Sequence, residues 1–111
     1  MRAYHGSRRC AVWAQIIKVR IQPDREQELK QVQEEISQRV RDSRPGWRRT
    51  ITLQNQNDPA EYYNVVFFES EESARAQEQS AEQQENVRRI QSVMDGPPEF
   101  VDCNVVWETA R

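Results

Sequence analysis

Histidine, cysteine, glycine and lysine are all scarce in this chain of 111 residues, and each scarcity removes a class of chemistry. The single histidine is His5, near the start, so neither a Ser-His-Asp set nor a histidine-based metal cluster can be assembled. Three glycines leave no glycine-rich phosphate loop. The two cysteines, Cys10 and Cys103, lack metal-type spacing and read as reduced core thiols of a cytoplasmic protein. Lysine occurs only at Lys18 and Lys30, and the other basic residues are arginines, a composition that points to a GC-rich bacterial genome. No apolar run approaches the length of about 18 residues that a transmembrane helix needs. The start, Met1 to Arg9, is basic, but Gln15, Lys18 and Arg20 interrupt the partly apolar stretch behind it and no small-residue cleavage site follows, so it does not read as a signal peptide. An excess of positive charge is also missing. A net charge of −2 and a pI near 5.5 argue against a nucleic-acid partner.

What is present is organised around Tyr62-Tyr63-Asn64-Val65-Val66-Phe67-Phe68-Glu69-Ser70-Glu71-Glu72-Ser73-Ala74. Tyr62 to Phe68 is rich in β-branched and aromatic residues on both alternating faces, the pattern of a strand covered on both sides. Ser70 stands where a helix N-cap is wanted, and Glu71 and Glu72 suit the positive end of a helix dipole. Upstream, residues 1–9 read as a flexible arm that cannot anchor His5 in catalytic geometry. Residues 10–21 form a first strand, with Trp13, Ile17, Val19 and Ile21 on one face and Val12, Ala14 and Ile16 on the other. Pro23-Asp24 ends it. Asp24 with Gln27 predicts a capping box, and Leu29, Val32, Ile36 and Val40 form the apolar stripe of a helix running to about Arg41. Ser43-Arg44-Pro45-Gly46 turns the chain into a second strand from Trp47 to Gln54, in which Trp47, Arg49, Ile51 and Leu53 share a face. The polar loop 55–60 makes strands two and three antiparallel neighbours. The helical region from Glu71 to about Met94 breaks near Ser80, with Val87, Ile90, Val93 and Met94 as the stripe of its second part. Asp95-Gly96-Pro97-Pro98 stops it, and a last strand spans Phe100 to Glu108.

The order β-α-β-β-α-β predicts an α+β, ferredoxin-like fold: a four-stranded antiparallel sheet with the helices on one face, over residues 10–108, followed by a short tail at 109–111. Strands one, three and four are apolar on both sides, so the face without helices needs a cover. A second copy packed face to face supplies one, giving a homodimeric α+β barrel. Left open, such a face invites aggregation.

These elements resemble the antibiotic biosynthesis monooxygenase (ABM) domain family of dimeric α+β barrels. The resemblance rests on the first strand with its Pro23-Asp24 exit and amphipathic helix, on Pro45-Gly46-Trp47, and above all on Val65 to Ala74. It implies a pocket between sheet and helices in each subunit. It also implies oxidation of a small aromatic polyketide, anthrone or quinol by molecular oxygen, with no metal or flavin cofactor. An electron-rich phenolate or enolate can pass an electron to oxygen itself, so the protein need only bind it, favour its anion and exclude water. Heme-degrading relatives use a pocket histidine and a tryptophan at the end of strand three; here there is only His5, and Phe68 stands at that strand end, so heme degradation is not expected. The expected pocket residues are Asn64 and Arg49 as catalytic groups, Asn64 holding a carbonyl or phenol and Arg49 an oxyanion, with Trp47, Tyr62 and Phe68 binding the substrate. Each also has a plain structural role open to it. Trp13, Trp47 and Trp107 suit core or interface packing, Asn64 a neighbouring strand, Arg49 a rim charge, and the Glu71–Glu85 charge run a solvated helix face. A non-catalytic dimeric barrel that binds a ligand or serves as an accessory module shares these features, and a regulatory ACT-type domain shares the element order.

Overall fold

The computed structural model describes residues 12–40 and 44–111. The expectations for the arm at 1–9, for His5 and Cys10, and for the helix exit at 41–43 lie outside the described residues, as does the side chain of Val40. Seven elements follow in order: β1 (Trp13–Arg20), α1 (Glu26–Val40), β2 (Trp47–Gln54), β3 (Glu61–Phe68), α2 (Glu71–Glu78), α3 (Ala81–Gln91) and β4 (Glu99–Asn104). The strands form one antiparallel sheet in the order β2-β3-β1-β4. This is the ferredoxin-like plan with its second helix in two pieces.

Two apolar clusters attach the helices to one face of the sheet. Val19 and Ile21 meet Leu29 of α1 and Val93 and Met94 beyond α3, with Ile17, Tyr62 and Ile90 packed around them. At the other end Trp13 and Phe68 meet Ala74 of α2, with Trp47 and Val66 beside them. Full burial of a side chain such as Leu29 or Phe68 contributes about 1.5–3 kcal/mol, so these two clusters, rather than the sparsely apolar helices themselves, hold the layers together.

The joint at Ser70 forms as its sequence predicts. Ser70 Oγ accepts the Ser73 N–H at 3.0 Å and caps α2. Ser80 does the same for α3, accepting from Gln83 N at 3.1 Å, so the helical region breaks where it was expected to. The joint is also clamped from outside. Gly46, at φ 83, accepts the Glu69 N–H at 2.8 Å and lies so close to Ser73 that a Cβ at this position would overlap the serine side chain. Pro45-Gly46-Trp47 and the Phe68–Ala74 stretch are therefore one contact in space.

The structure corrects four expectations. Asp24 does not cap α1: it sits in the preceding turn at φ 67, and the first helical bond runs from Leu29 N to the Arg25 carbonyl at 3.0 Å. The stripe of α3 is cut short, because Val93 and Met94 are buried in the turn after the helix and Val87 is exposed. The last strand ends at Asn104, not Glu108; past Val105, whose N–H reaches the Val12 carbonyl at 3.0 Å, Val106 and Trp107 stand in solvent. Finally, the register of β2 shifts between Trp47 and Arg49. Trp47 pairs with Phe68 on the helix face while Arg49 pairs with Phe67 on the opposite one, so the two do not share a face.

Candidate functional site

Between the two apolar clusters the helix face of the sheet turns polar. Two adjacent cross-strand rows lie there. One reads Thr52-Asn64-Ile17-Phe100 and the other Thr50-Val66-Gln15-Asp102, each running from β2 across β3 and β1 to β4. Side chains in such rows are neighbours about 4.5–5.5 Å apart, so they form a mixed floor. Above it the helices stand clear and leave a cavity of about 840 Å³, roofed by Ile36 of α1 and by Asn86, Val87 and Ile90 of α3. Small-molecule sites span about 300–1,000 Å³. Trp47 on one edge strand and Phe100 on the other put an aromatic ring at each margin of the cavity wall.

Of the expected site residues, the structure brings Trp47 and Asn64 to this cavity. Asn64 Oδ1 accepts the Thr52 hydroxyl at 2.8 Å, which fixes the amide and leaves its Nδ2 as the group available to a ligand oxygen. Trp47 is half-buried, rests on the Trp13–Phe68 cluster and donates its indole N–H to Thr50 Oγ1 at 2.9 Å. Arg49 belongs to the cavity wall, but its guanidinium stacks over the Phe67 ring on the other face of the sheet, 5.2 Å from the centroid. Phe68 is core, 5% exposed against Trp13 and Ala74. Tyr62 lines a separate hollow of about 630 Å³ beside α1, where its hydroxyl accepts from Gln54 Nε2 at 3.1 Å. Burial, then the Glu26 charge, push the Tyr62 phenol above its ordinary range.

Two arginines absent from the expected set reach the cavity. Arg75 of α2 pairs with Glu71 at 2.9 Å, Glu78 at 2.9 Å and Asp102 of β4 at 2.7 Å, and lies over the Trp13 ring at 5.1 Å. These hydrogen bonds, Asp102 first, raise the Arg75 pKa. In return Arg75, and after it the Gln15 amide at 2.9 Å, hold the Asp102 carboxyl below its usual range. The charge run of α2 is thus not merely solvated: it anchors the helix to the far edge of the sheet. Arg44, in the turn before β2, donates to Gln83 Oε1 at 2.8 Å. With the Gln77 amide turned to match donors and acceptors, its oxygen takes Arg44 Nε at 3.2 Å and Nη1 at 3.1 Å. Burial lowers the Arg44 pKa, and the Glu82 charge opposes that shift. Neither arginine carried a signal in strand or helix periodicity, since one sits in a turn and the other in what reads as a polar surface. Among the described residues no three His, Cys, Asp or Glu side chains gather as a metal-ligand set. Nor is any helix there long and apolar enough to cross a membrane.

Known proteins bear on this arrangement in two ways. Solved structures share the fold. A protein assigned to the antibiotic biosynthesis monooxygenases from Nitrosomonas europaea superposes with a TM-score of 0.77 at 17% identity, covering 90% of this chain and 95% of that one. One so assigned from Caulobacter crescentus gives 0.78 at 13%, covering 87% and 92%, and one from Bordetella bronchiseptica gives 0.76 at 20%, covering 88% and 100%. At such identities the likeness is one of fold. No curated protein matches the chain. The family model for antibiotic biosynthesis monooxygenase matches residues 13–89, which takes in β1, both margins of the Ser70 joint and most of the cavity roof. On that match the chain belongs to the antibiotic biosynthesis monooxygenase family.

Proposed function

We propose that the chain is a cofactor-independent monooxygenase that oxidises a small aromatic polyketide, anthrone or quinol with molecular oxygen in the helix-side cavity. One observation supports this above others: an aromatic-walled cavity whose floor offers an oriented amide, Asn64, in a chain of the monooxygenase family. For an anthrone the net exchange is a ring methylene plus dioxygen giving a ring carbonyl plus water. The methylene carbon loses four electrons and dioxygen gains them, one oxygen atom entering the product and one leaving as water. The substrate anion supplies the electrons, so the protein's task is to bind the ring, favour the anion and exclude water. In this reading the ring lies against Trp47, and Asn64 Nδ2 donates to the oxygen on which negative charge develops. Arg49 is given no role in this reading, because its guanidinium lies over Phe67 on the other face of the sheet.

The same reading makes the protein a homodimer through the open sheet face, in the cytoplasm, where Cys103 stays reduced. The test is a thermal-shift screen in air with anthrones, naphthoquinols, menadiol and heme, followed by oxygen uptake. A ligand at about 100 times its dissociation constant adds about 2.7 kcal/mol. Stabilisation by quinols or anthrones and not by heme is expected. Asn64→Ala should slow oxygen uptake by about 100-fold, the size of a lost oxyanion donor; an unchanged rate would remove Asn64 from the mechanism.

A further inference from the structure

Arg75 and Arg44 both line the cavity, and their surroundings differ in charge. Three carboxylates surround the single charge of Arg75, so that end of the cavity is net negative and repels an anion. Arg44 is half-buried and held by the neutral amides of Gln77 and Gln83; among the described residues no carboxylate lies at ion-pair distance, and the Glu82 charge acts on it from beyond that distance. Those amides come from the two sides of the α2–α3 joint, and being neutral they position the guanidinium while only the more distant Glu82 offsets its charge. Of the residues lining the cavity, Arg44, Arg49 and Arg75 are cations and Glu78 and Asp102 anions. Both anions are bound to Arg75, and Arg49 faces away over Phe67.

We propose that Arg44 is the anion-binding element of the cavity, and that the ligand is an aromatic acid: a planar ring system carrying an ionised carboxylate. This rests on the reading of the cavity as the ligand site and narrows its substrate to an anthrone or quinol that bears a carboxylate. A guanidinium fork matches a carboxylate in shape and keeps its charge across the physiological range. A partly desolvated cation with amide partners gains more from such a ligand than a solvated one would. Trp47 lines the same cavity, its backbone N–H closing the turn on the Arg44 carbonyl at 3.2 Å, so a ring surface and a cation are available to one molecule. Burial of Arg44 works in the same direction, since it penalises the cation until an anion arrives.

The experiment is calorimetric titration, under nitrogen, with 2-naphthoate and its neutral isostere 2-naphthamide. The probes share shape and differ in charge. Wild-type protein should bind the acid about tenfold or more tighter than the amide, as expected for a hydrogen-bonded charge pair. Arg44→Gln should lose that preference while its naphthamide affinity stays within about twofold, and Arg44→Lys, a cation without the fork, should retain part of it. Circular dichroism melts establish that each variant folds; if Arg44→Gln does not, Arg44→Lys carries the comparison. Equal affinity for the two probes, an equal loss of both in the variants, or no binding of either overturns the proposal. Oxygen uptake is read separately, on a quinol that carries a carboxylate. Turnover without acid preference sinks only the Arg44 proposal, and acid preference without turnover sinks only the oxidation reading.

Discussion

The two faces of the sheet differ in a way that reverses the usual expectation. The face that the chain covers with its own helices has a polar centre, and the face that it leaves open is apolar throughout its central row. On the helix side the middle rows hold Thr52, Asn64, Thr50, Gln15 and Asp102 among apolar neighbours. On the open side the row between them reads Ile51-Val65-Ile16-Val101 without a polar atom in any side chain. Leu53 and Val101 on that face are about half exposed in the single chain, at 48% and 53%. Apolar side chains therefore lie where the described residues supply no cover, and side chains able to hold a polar ligand lie under a roof. In the proposed reading a second copy covers the first face and a small molecule occupies the second.

The sharpest way to break this contrast is a charge on the open face. Val101 is on an edge strand and half exposed in one chain, so Val101→Glu should leave the fold intact. In a face-to-face dimer it buries two unpaired carboxylates, at several kcal/mol each, and lowers dimer affinity by about a thousandfold or more. Light scattering should show the mass falling from twice 13.2 kDa to 13.2 kDa at micromolar concentration, with an unchanged circular dichroism spectrum. A wild-type protein that is already monomeric would remove the open-face argument.

A smaller effect is expected at the frame of the covered face. Gly46→Ala forces an alanine to φ 83 and into Ser73, and should cost about 1–3 kcal/mol. Near the melting point this amounts to about 4 °C or more. Gly96→Ala is the control: φ is 92 there, but the space around a Cβ is open, so only the backbone penalty applies and the loss should be smaller. Equal losses would show that the Gly46–Ser73 contact does not clamp the joint.

The smallest effect concerns the acidic end of the cavity, around Arg75. Arg75 and Gln15 depress the Asp102 pKa in the folded state. A carboxylate with a depressed folded pKa contributes stability that is present above its unfolded pKa and lost as pH falls through the folded value. Melting temperature should therefore decline below about pH 4, and the decline should be shallower in Asp102→Asn. Parallel profiles would mean that the pairing with Arg75 adds nothing, as often holds for exposed ion pairs.

Much of the frame was legible in the sequence, and for local reasons. Ser70 and Ser80 cap helices through their own side chains, and Tyr62 to Phe68 declares a strand by composition. The departures arise where the neighbours that decide lie far away in the chain. A register shift after Trp47 parts it from Arg49, and period-two reasoning cannot detect a shift that depends on the partner strand. Glu71, Arg75 and Glu78 read as surface charge because Asp102, which draws Arg75 across the cavity, is 27 residues away. Arg44 looked like a turn residue, since Gln77 and Gln83, which hold it, belong to helices packed against that turn only in three dimensions. Asp24 has the composition of a cap but the backbone of a left-handed turn. Of the five expected site residues, Asn64, Trp47 and Arg49 line the cavity, Arg49 with its guanidinium over Phe67 on the other face, whereas Phe68 and Tyr62 belong to the apolar clusters that flank it.

In the proposed reading this cavity inserts oxygen from dioxygen into an aromatic ring system without a resident cofactor. The most direct test is turnover of an anthrone by chelator-treated protein under heavy-isotope dioxygen, with mass spectrometry of the product. The expected product is a quinone carrying one labelled oxygen atom, formed with one dioxygen consumed per product and more slowly by Asn64→Ala. Product formed no faster than without protein, or a quinone free of the label, would contradict it.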